Sequence, residues 1–113
     1  MPMAARAPAL AVALAIALAA AGAAAQTDDI AAGRAKARAC AVCHGPLGVA
    51  VAPDTPNLAG QPASYLVQQL RAYRSGARKH EVMAVMAKPL LDAEIDQLAS
   101  WFAAIRVEAT APP

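Results

Sequence analysis

Both cysteines of the chain and one of its two histidines fall within Cys40-Ala41-Val42-Cys43-His44-Gly45. Three chemistries use such a cluster. A C-x-x-C pair can act as a redox switch, but that motif follows a strand and opens a helix in thioredoxin-like α/β frames. Zinc wants four ligands in two spaced pairs, and after Cys40, Cys43 and His44 only His80 remains. A covalently attached haem uses every residue: C-x-x-C-H is the c-type attachment signature. The two thiols add across two haem vinyl groups, and the adjacent imidazole of His44 faces the iron as an axial ligand. Thiols consumed in this way are inert, so a secreted chain can carry them without a disulfide.

Iron held by His44 still has a sixth position. Met83, Met86 and His80 can offer a ligand, whereas Met1 and Met3 belong to a leader described below. A thioether favours reduced iron and raises the potential. Met83 and Met86 lie three residues apart, so on a helix they share a face, and spacing does not choose between them.

The elements that must position these residues begin after an apolar start. Arg6 is the sole charge before Asp28, and Ala9 to Ala24 is nearly all alanine, leucine, valine and isoleucine. Ala23-Ala24-Ala25 then precedes polar Gln26-Thr27-Asp28-Asp29. This is the pattern of a secretory signal peptide, residues 1–25, cleaved after Ala25; an uncleaved anchor is the alternative, with modest hydrophobicity for a span. Residues 26–113 form one small domain. It has four aromatic residues, Tyr65, Tyr73, Trp101 and Phe102, and many of its apolar positions are alanine. A core this thin calls for a staple or a large apolar cofactor.

The domain reads as all-α. Asp28 is expected to cap a helix from about Ile30 to Ala41. Residues 45–60, with three glycines and three prolines, read as loop. Pro62 opens a second helix in which Tyr65, Leu66, Gln69, Leu70 and Tyr73 recur at helical spacing up to Gly76. Glu81 to Lys88 makes one or two turns, ended by Pro89. Asp92 caps the last helix, whose apolar face is Ile95, Leu98, Phe102 and Ile105. No strand alternation or repeat is visible.

From Gly33 to Ile105 the chain resembles a class I cytochrome c, the small Met/His-ligated electron carriers. It is most similar to the bacterial periplasmic subgroup of two-haem cytochromes and their single-haem relatives. The matching pieces are Cys40-Ala-Val-Cys43-His44-Gly45 with Gly48, Pro56-Asn57-Leu58-Ala59-Gly60-Gln61, and Tyr65-Leu66-x-x-Gln69-Leu70-x-x-Tyr73-Arg74-x-Gly76. Met83 and Leu90-Leu91-Asp92-Ala93-Glu94-Ile95 complete them. The resemblance implies a cytochrome c fold of about four helices around one haem c and its iron. It implies covalent attachment at Cys40 and Cys43 and axial ligation by His44. The methionine seven residues before Leu90, Met83, is implied as the second ligand. The proline nine residues past His44, Pro53, is implied as the carbonyl acceptor for the histidine ring nitrogen facing away from iron. It also implies that Gly33 and Trp101 mark a crossing of first and last helices, and that Tyr65, Gln69 and Tyr73 wall the haem pocket. Arg74, Arg78 and Lys79 stand as candidates for a haem propionate. The chain departs from some relatives in its single C-x-x-C-H and its short link from Gly76 to Met83.

The implied function is periplasmic electron transfer without bond-making catalysis, from a dehydrogenase or respiratory complex to an oxidase or reductase. The alternatives are a haem subunit of a larger sulfur-compound or alcohol dehydrogenase, and a haem enzyme or gas sensor with a labile sixth ligand. Partners are then redox proteins, with no small-molecule substrate and with membrane contact only through a partner or an uncleaved leader. Without Arg6, nine Lys/Arg stand against eight Asp/Glu, and no long basic run favours nucleic acid. Arg34-Ala-Lys36-Ala-Arg38 reads as a solvated helix face.

Overall fold

A computed structural model describes residues 8–113. Arg6, Met1 and Met3, the start of the expected leader, lie outside the described residues. Five α-helical segments follow in order: α1 (Pro8–Lys36), α2 (Ala41–His44), α3 (Ala63–Ser75), α4 (Glu81–Ala87) and α5 (Asp92–Ala104), with a 3-10 turn at Ala37–Cys40 between α1 and α2. No strand occurs among the described residues, so the all-α expectation holds.

The first helix corrects one expectation. Asp28 caps nothing, because α1 runs unbroken through it from the alanine-rich leader. No glycine or proline lies between Gly22 and Gly33, and alanine has the highest helix propensity, so nothing stops the helix there. The Thr27 hydroxyl donates back to the Ala24 carbonyl at 2.7 Å, as hydroxyl residues inside helices do. Val12, Leu14, Ile16 and Leu18 in the leader half are 58–65 % exposed and pack on nothing. No described helix is long and apolar enough to cross a membrane.

The second half of α1 does the packing. It crosses α5 at Gly33, where a Cβ would stand 1.9 Å from the Gln97 carbonyl oxygen and 2.9 Å from Trp101 Cβ. Only glycine permits that approach. Lys36 pairs with Glu94 across the same crossing, and the Arg34 guanidinium lies 5.6 Å from the Trp101 ring centre. Below it, Ala37, Leu66, Leu98, Ala99 and Phe102 form the buried core, with Cys40, Leu58, Val67, Leu70, Leu90, Trp101 and Ile105 against them. Ile95 is the largest side chain wholly buried, which confirms how thin the protein core is.

The later boundaries move by one residue. Pro62 sits just before α3 as its N-cap rather than inside it. Leu91, not Asp92, is the N-cap of α5, and the Glu94 carboxylate accepts the Leu91 N–H at 2.9 Å. Helix α3 closes at Gly76 in the left-handed conformation, φ 84°, the C-terminal stop glycine favours.

Candidate functional site: two thiols, an imidazole and a thioether

The motif straddles two kinds of helix. Cys40 ends the 3-10 turn, and Cys43 and His44 lie in the single turn of α2. Val42 is 81 % exposed, so the spacer residue faces out while His44, 7 % exposed, faces in. Neither cysteine is in a disulfide. Burial pushes the Cys40 thiol pKa up, the reverse of what a switching cysteine needs. Among the described residues no three His, Cys, Asp or Glu side chains converge as metal ligands. Both findings leave the haem reading of the motif standing against the redox-switch and zinc readings.

Gly45 then turns the chain at φ 77°, and the loop folds back over the motif. Val51 and Ala52 N–H both donate to the Cys43 carbonyl, at 3.0 and 3.2 Å. Gly48 (φ 75°) lies so close to Phe102 and Ala59 that a Cβ would meet each at 2.8 Å. Its carbonyl accepts from Leu58 and Ala59 N–H at 2.7 and 3.0 Å, and the Asn57 side chain accepts from Ala50 N–H at 2.8 Å. These bonds hold residues 56–59 beneath the histidine.

His44 Nδ1 is 2.8 Å from the carbonyl of Pro56, not that of Pro53. This corrects the expected acceptor by one turn of the loop. Asp54 adopts φ 57° and swings Pro53 away, whose carbonyl accepts from Thr55 Oγ1 at 3.3 Å instead. With a carbonyl as partner, Nδ1 carries the proton, which leaves the Nε2 lone pair free. No protein group bonds Nε2 among the described residues, and it is not sealed off as a buried orphan. Pro56 belonged to a segment that the sequence already singled out, but nothing in spacing distinguishes its carbonyl from that of Pro53.

Across the fold, α4 carries both methionines. Met83 is half-buried and Met86 is 39 % exposed. His80 caps α4: its Nδ1 accepts the Met83 N–H at 3.2 Å. This role was missed in the sequence, although a polar residue just before a short helix was a signal for it. Tyr65 is 43 % exposed, and Tyr73 packs edge-on to His80 with ring centres 6.4 Å apart. Both arginines considered for a propionate are engaged with protein. Arg74 donates to the Leu90 carbonyl (2.9 Å) and the Asp92 carboxylate (2.6 Å). Arg78 donates to Gln69 Oε1 at 2.7 Å and stacks 4.7 Å from the Tyr73 ring centre. Trp101 packs at the Gly33 crossing as expected, with its Nε1 buried and unpartnered.

Two unbonded thiols and an imidazole with its tautomer fixed fit haem c, and α4 carries two thioethers that could serve as a further donor. The small protein core fits it too, since a large apolar group is what such a core lacks.

Comparison with known proteins agrees. Residues 20–105 match the family model described as cytochrome c. The chain is 43 % identical over 77 residues to cytochrome c-554(548) of Halomonas halodenitrificans, covering 66 % of this chain and 93 % of that protein. It is 45 % identical over 79 residues to cytochrome c4 of Thiocapsa roseopersicina, covering 69 % of this chain. It is 43 % identical over 67 residues to the thiosulfate dehydrogenase electron acceptor of Stutzerimonas stutzeri, covering 57 % of this chain. The chain spans nearly all of the first relative but only 41 % and 31 % of the other two.

Proposed function

Since the chain belongs to the cytochrome c family and is a haem c electron-transfer protein, we propose that it is a single-haem periplasmic carrier in which His44 and Met83 are the iron's axial ligands and Cys40 and Cys43 its covalent anchors. The observation that carries this reading is the buried His44, held by Pro56 with Nε2 free, one residue from Cys43. Haem c supplies a one-electron couple between Fe(III) and Fe(II). The chain's own residues do the rest. Cys40 packs against the core and Cys43 starts the backbone bonds that order the loop, so both attachment points are fixed. The Pro56 carbonyl holds the His44 proton on Nδ1, fixes the ring plane and makes Nε2 a stronger donor. Of the two methionines, Met83 is supported by its greater burial and by the cap that orders its backbone. Filling both axial positions with protein leaves no site for a substrate, which supports a carrier over an enzyme.

Redox proteins are the partners. A sulfur-compound dehydrogenase is the donor class favoured by two relatives named as thiosulfate dehydrogenase electron acceptors. Cleavage after Ala25 would free the mature chain in the periplasm; residues 12–25 of α1 are exposed, so their removal would take away no buried side chain.

Visible spectra of the purified protein test the reading. A c-type pyridine haemochrome and a weak long-wavelength sulfur-to-iron band in the ferric state are expected, with an intact mass that starts at Gln26 plus one haem. Absence of covalent haem overturns the assignment. Ready carbon monoxide binding to the ferrous protein overturns the six-coordinate site.

A further inference from the structure

The segment bearing Met83 is held in an unusual manner. Helix α4 has seven residues, of which only Ala87 is buried. Val82 is 55 % exposed, Val85 70 % and Met86 39 %, so the helix is held by one narrow apolar face, half-buried Met83 and Ala84 with buried Ala87. With so small a face its position depends strongly on its ends, and both ends are tied to α3.

At the entry, the Arg78 N–H donates to the Ala72 carbonyl at 3.1 Å while its guanidinium reaches Gln69, and His80 closes the cap. At the exit Leu90 packs against the core, Arg71 lies 3.9 Å from the Asp92 carboxylate, and Arg74 makes the direct bonds. Arg74 Nη1 donates to the Leu90 carbonyl and Nη2 to the Asp92 carboxylate, one residue on each side of Leu91. Leu90 N–H in turn bonds the Ala87 carbonyl at 3.1 Å, so the grip passes directly to the end of α4. The Arg74 side chain is 29 % exposed against 66 % for Asp92, which places the guanidinium at the more sheltered end of the pair. A planar guanidinium can hold two acceptors at a fixed angle, which a lysine ammonium does not reproduce.

We propose that Arg74 is a positioning residue for the sixth iron ligand: by pinning Leu90 and Asp92 to α3 it holds α4 at the distance from which Met83 reaches the iron. This rests on Met83 being that ligand. Without the clamp α4 keeps its cap but loses its exit tie, and the thioether leaves the iron more often. An exogenous ligand binds only the open fraction, so its apparent affinity rises in proportion to that fraction.

The test is imidazole titration of the mature ferric holoprotein, followed in the visible spectrum. Arg74→Ala is expected to bind imidazole at least ~10-fold more tightly than the parent, with a weakened sulfur-to-iron band. Arg74→Lys should fall between, and Asp92→Asn, which keeps the Leu90 bond, should move least in the same direction. Arg34→Ala removes the cation over Trp101 at the α1–α5 crossing, away from the Leu90–Glu94 segment, so it should lower the thermal midpoint and leave imidazole affinity unchanged. If Arg74→Ala does not accumulate as holoprotein, Arg74→Lys and Asp92→Asn carry the decision. Unchanged imidazole affinity in the Arg74 and Asp92 variants, while Met83→Leu loses the band, overturns the positioning role alone. Retention of the band in Met83→Leu overturns the ligand assignment and the Arg74 role with it.

Discussion

The α1–α5 crossing, beside the attachment motif, and the α4 segment, which carries Met83, are built in opposite ways. The crossing depends on contact: Gly33 admits α5 to the backbone of α1, and Ala37, Leu98, Ala99 and Phe102 fill the space beneath. Cys40 packs against that cluster, so the attachment motif inherits its rigidity. Helix α4 depends more on tethers, with one wholly buried alanine, Met83 and Ala84 half-buried, and polar bonds at each end. Packed interiors resist displacement, whereas exposed segments held by a few hydrogen bonds open locally at low free energy. On the proposed ligation, a carrier made this way would hold its attachment motif rigidly and let the methionine segment move independently.

The contrast is broken most directly at Gly33. Gly33→Ala places a methyl against the Gln97 carbonyl, a backbone atom that cannot rotate away. The loss should exceed the ~1–3 kcal/mol of ordinary overpacking, and thermal unfolding of the holoprotein measures it. The next effect compares the two regions by the same kind of change. Leu98→Ala, at 2 % exposure, should cost ~2–5 kcal/mol. Val85→Ala, at 70 % exposure on α4, should stay within about 0.5 kcal/mol. Similar losses for the two would show that α4 is held by its face after all.

This division explains which parts could be read in advance. Apolar periodicity marked α3 and α5, because those helices bury a stripe. Gly33 and Trp101 were legible as a crossing through resemblance, and the attachment motif through its chemistry. The start of α1 was not, since capping rules describe a mature chain and an alanine-rich leader extends a helix through any cap. The histidine's acceptor was expected at Pro53 and lies at Pro56 because loop register depends on Gly48, Asn57 and the left-handed Asp54, none of which has a period. The roles of His80 and Arg74 were hidden for a related reason: each acts through a backbone group, and sequence patterns record side chains.

Acid should separate the regions without any substitution. The bond from Arg74 holds the Asp92 carboxyl below its ordinary range, and the bond from Lys36, with the Leu91 N–H, does the same for Glu94. A carboxylate depressed in the folded state stabilises that state above its unfolded pKa, about 3.9 for Asp and 4.3 for Glu, and loses this as pH falls through the lower folded value. Stability from both pairs is therefore constant from pH 7 to about 5 and declines below about 4. The crossing retains its packing when Glu94 is protonated, but the exit of α4 loses its charge-assisted tie to α3 when Asp92 is. The sulfur-to-iron band should accordingly fade at a higher pH than the helical circular dichroism. Simultaneous loss would mean that the two regions unfold as one unit.

The smallest expected effect lies on the crossing's own side of the site and sharpens why that side is rigid. Pro56 presents its carbonyl to His44 from a residue whose φ is fixed by its ring, while Pro53 lies on the exposed outer bend. Pro56→Ala keeps the carbonyl but frees the backbone that aims it, so the bond to Nδ1 lengthens on average. Weaker polarisation makes the imidazole a poorer donor, which favours Fe(II) over Fe(III) and raises the reduction potential. Pro53→Ala should leave the potential unchanged, since its carbonyl serves only Thr55. Potentiometric titration of the two variants compares two prolines three residues apart. A shift in Pro53→Ala alone would return the acceptor to the outer bend, and would mean that the Gly48 and Asn57 bonds do not set the loop's register.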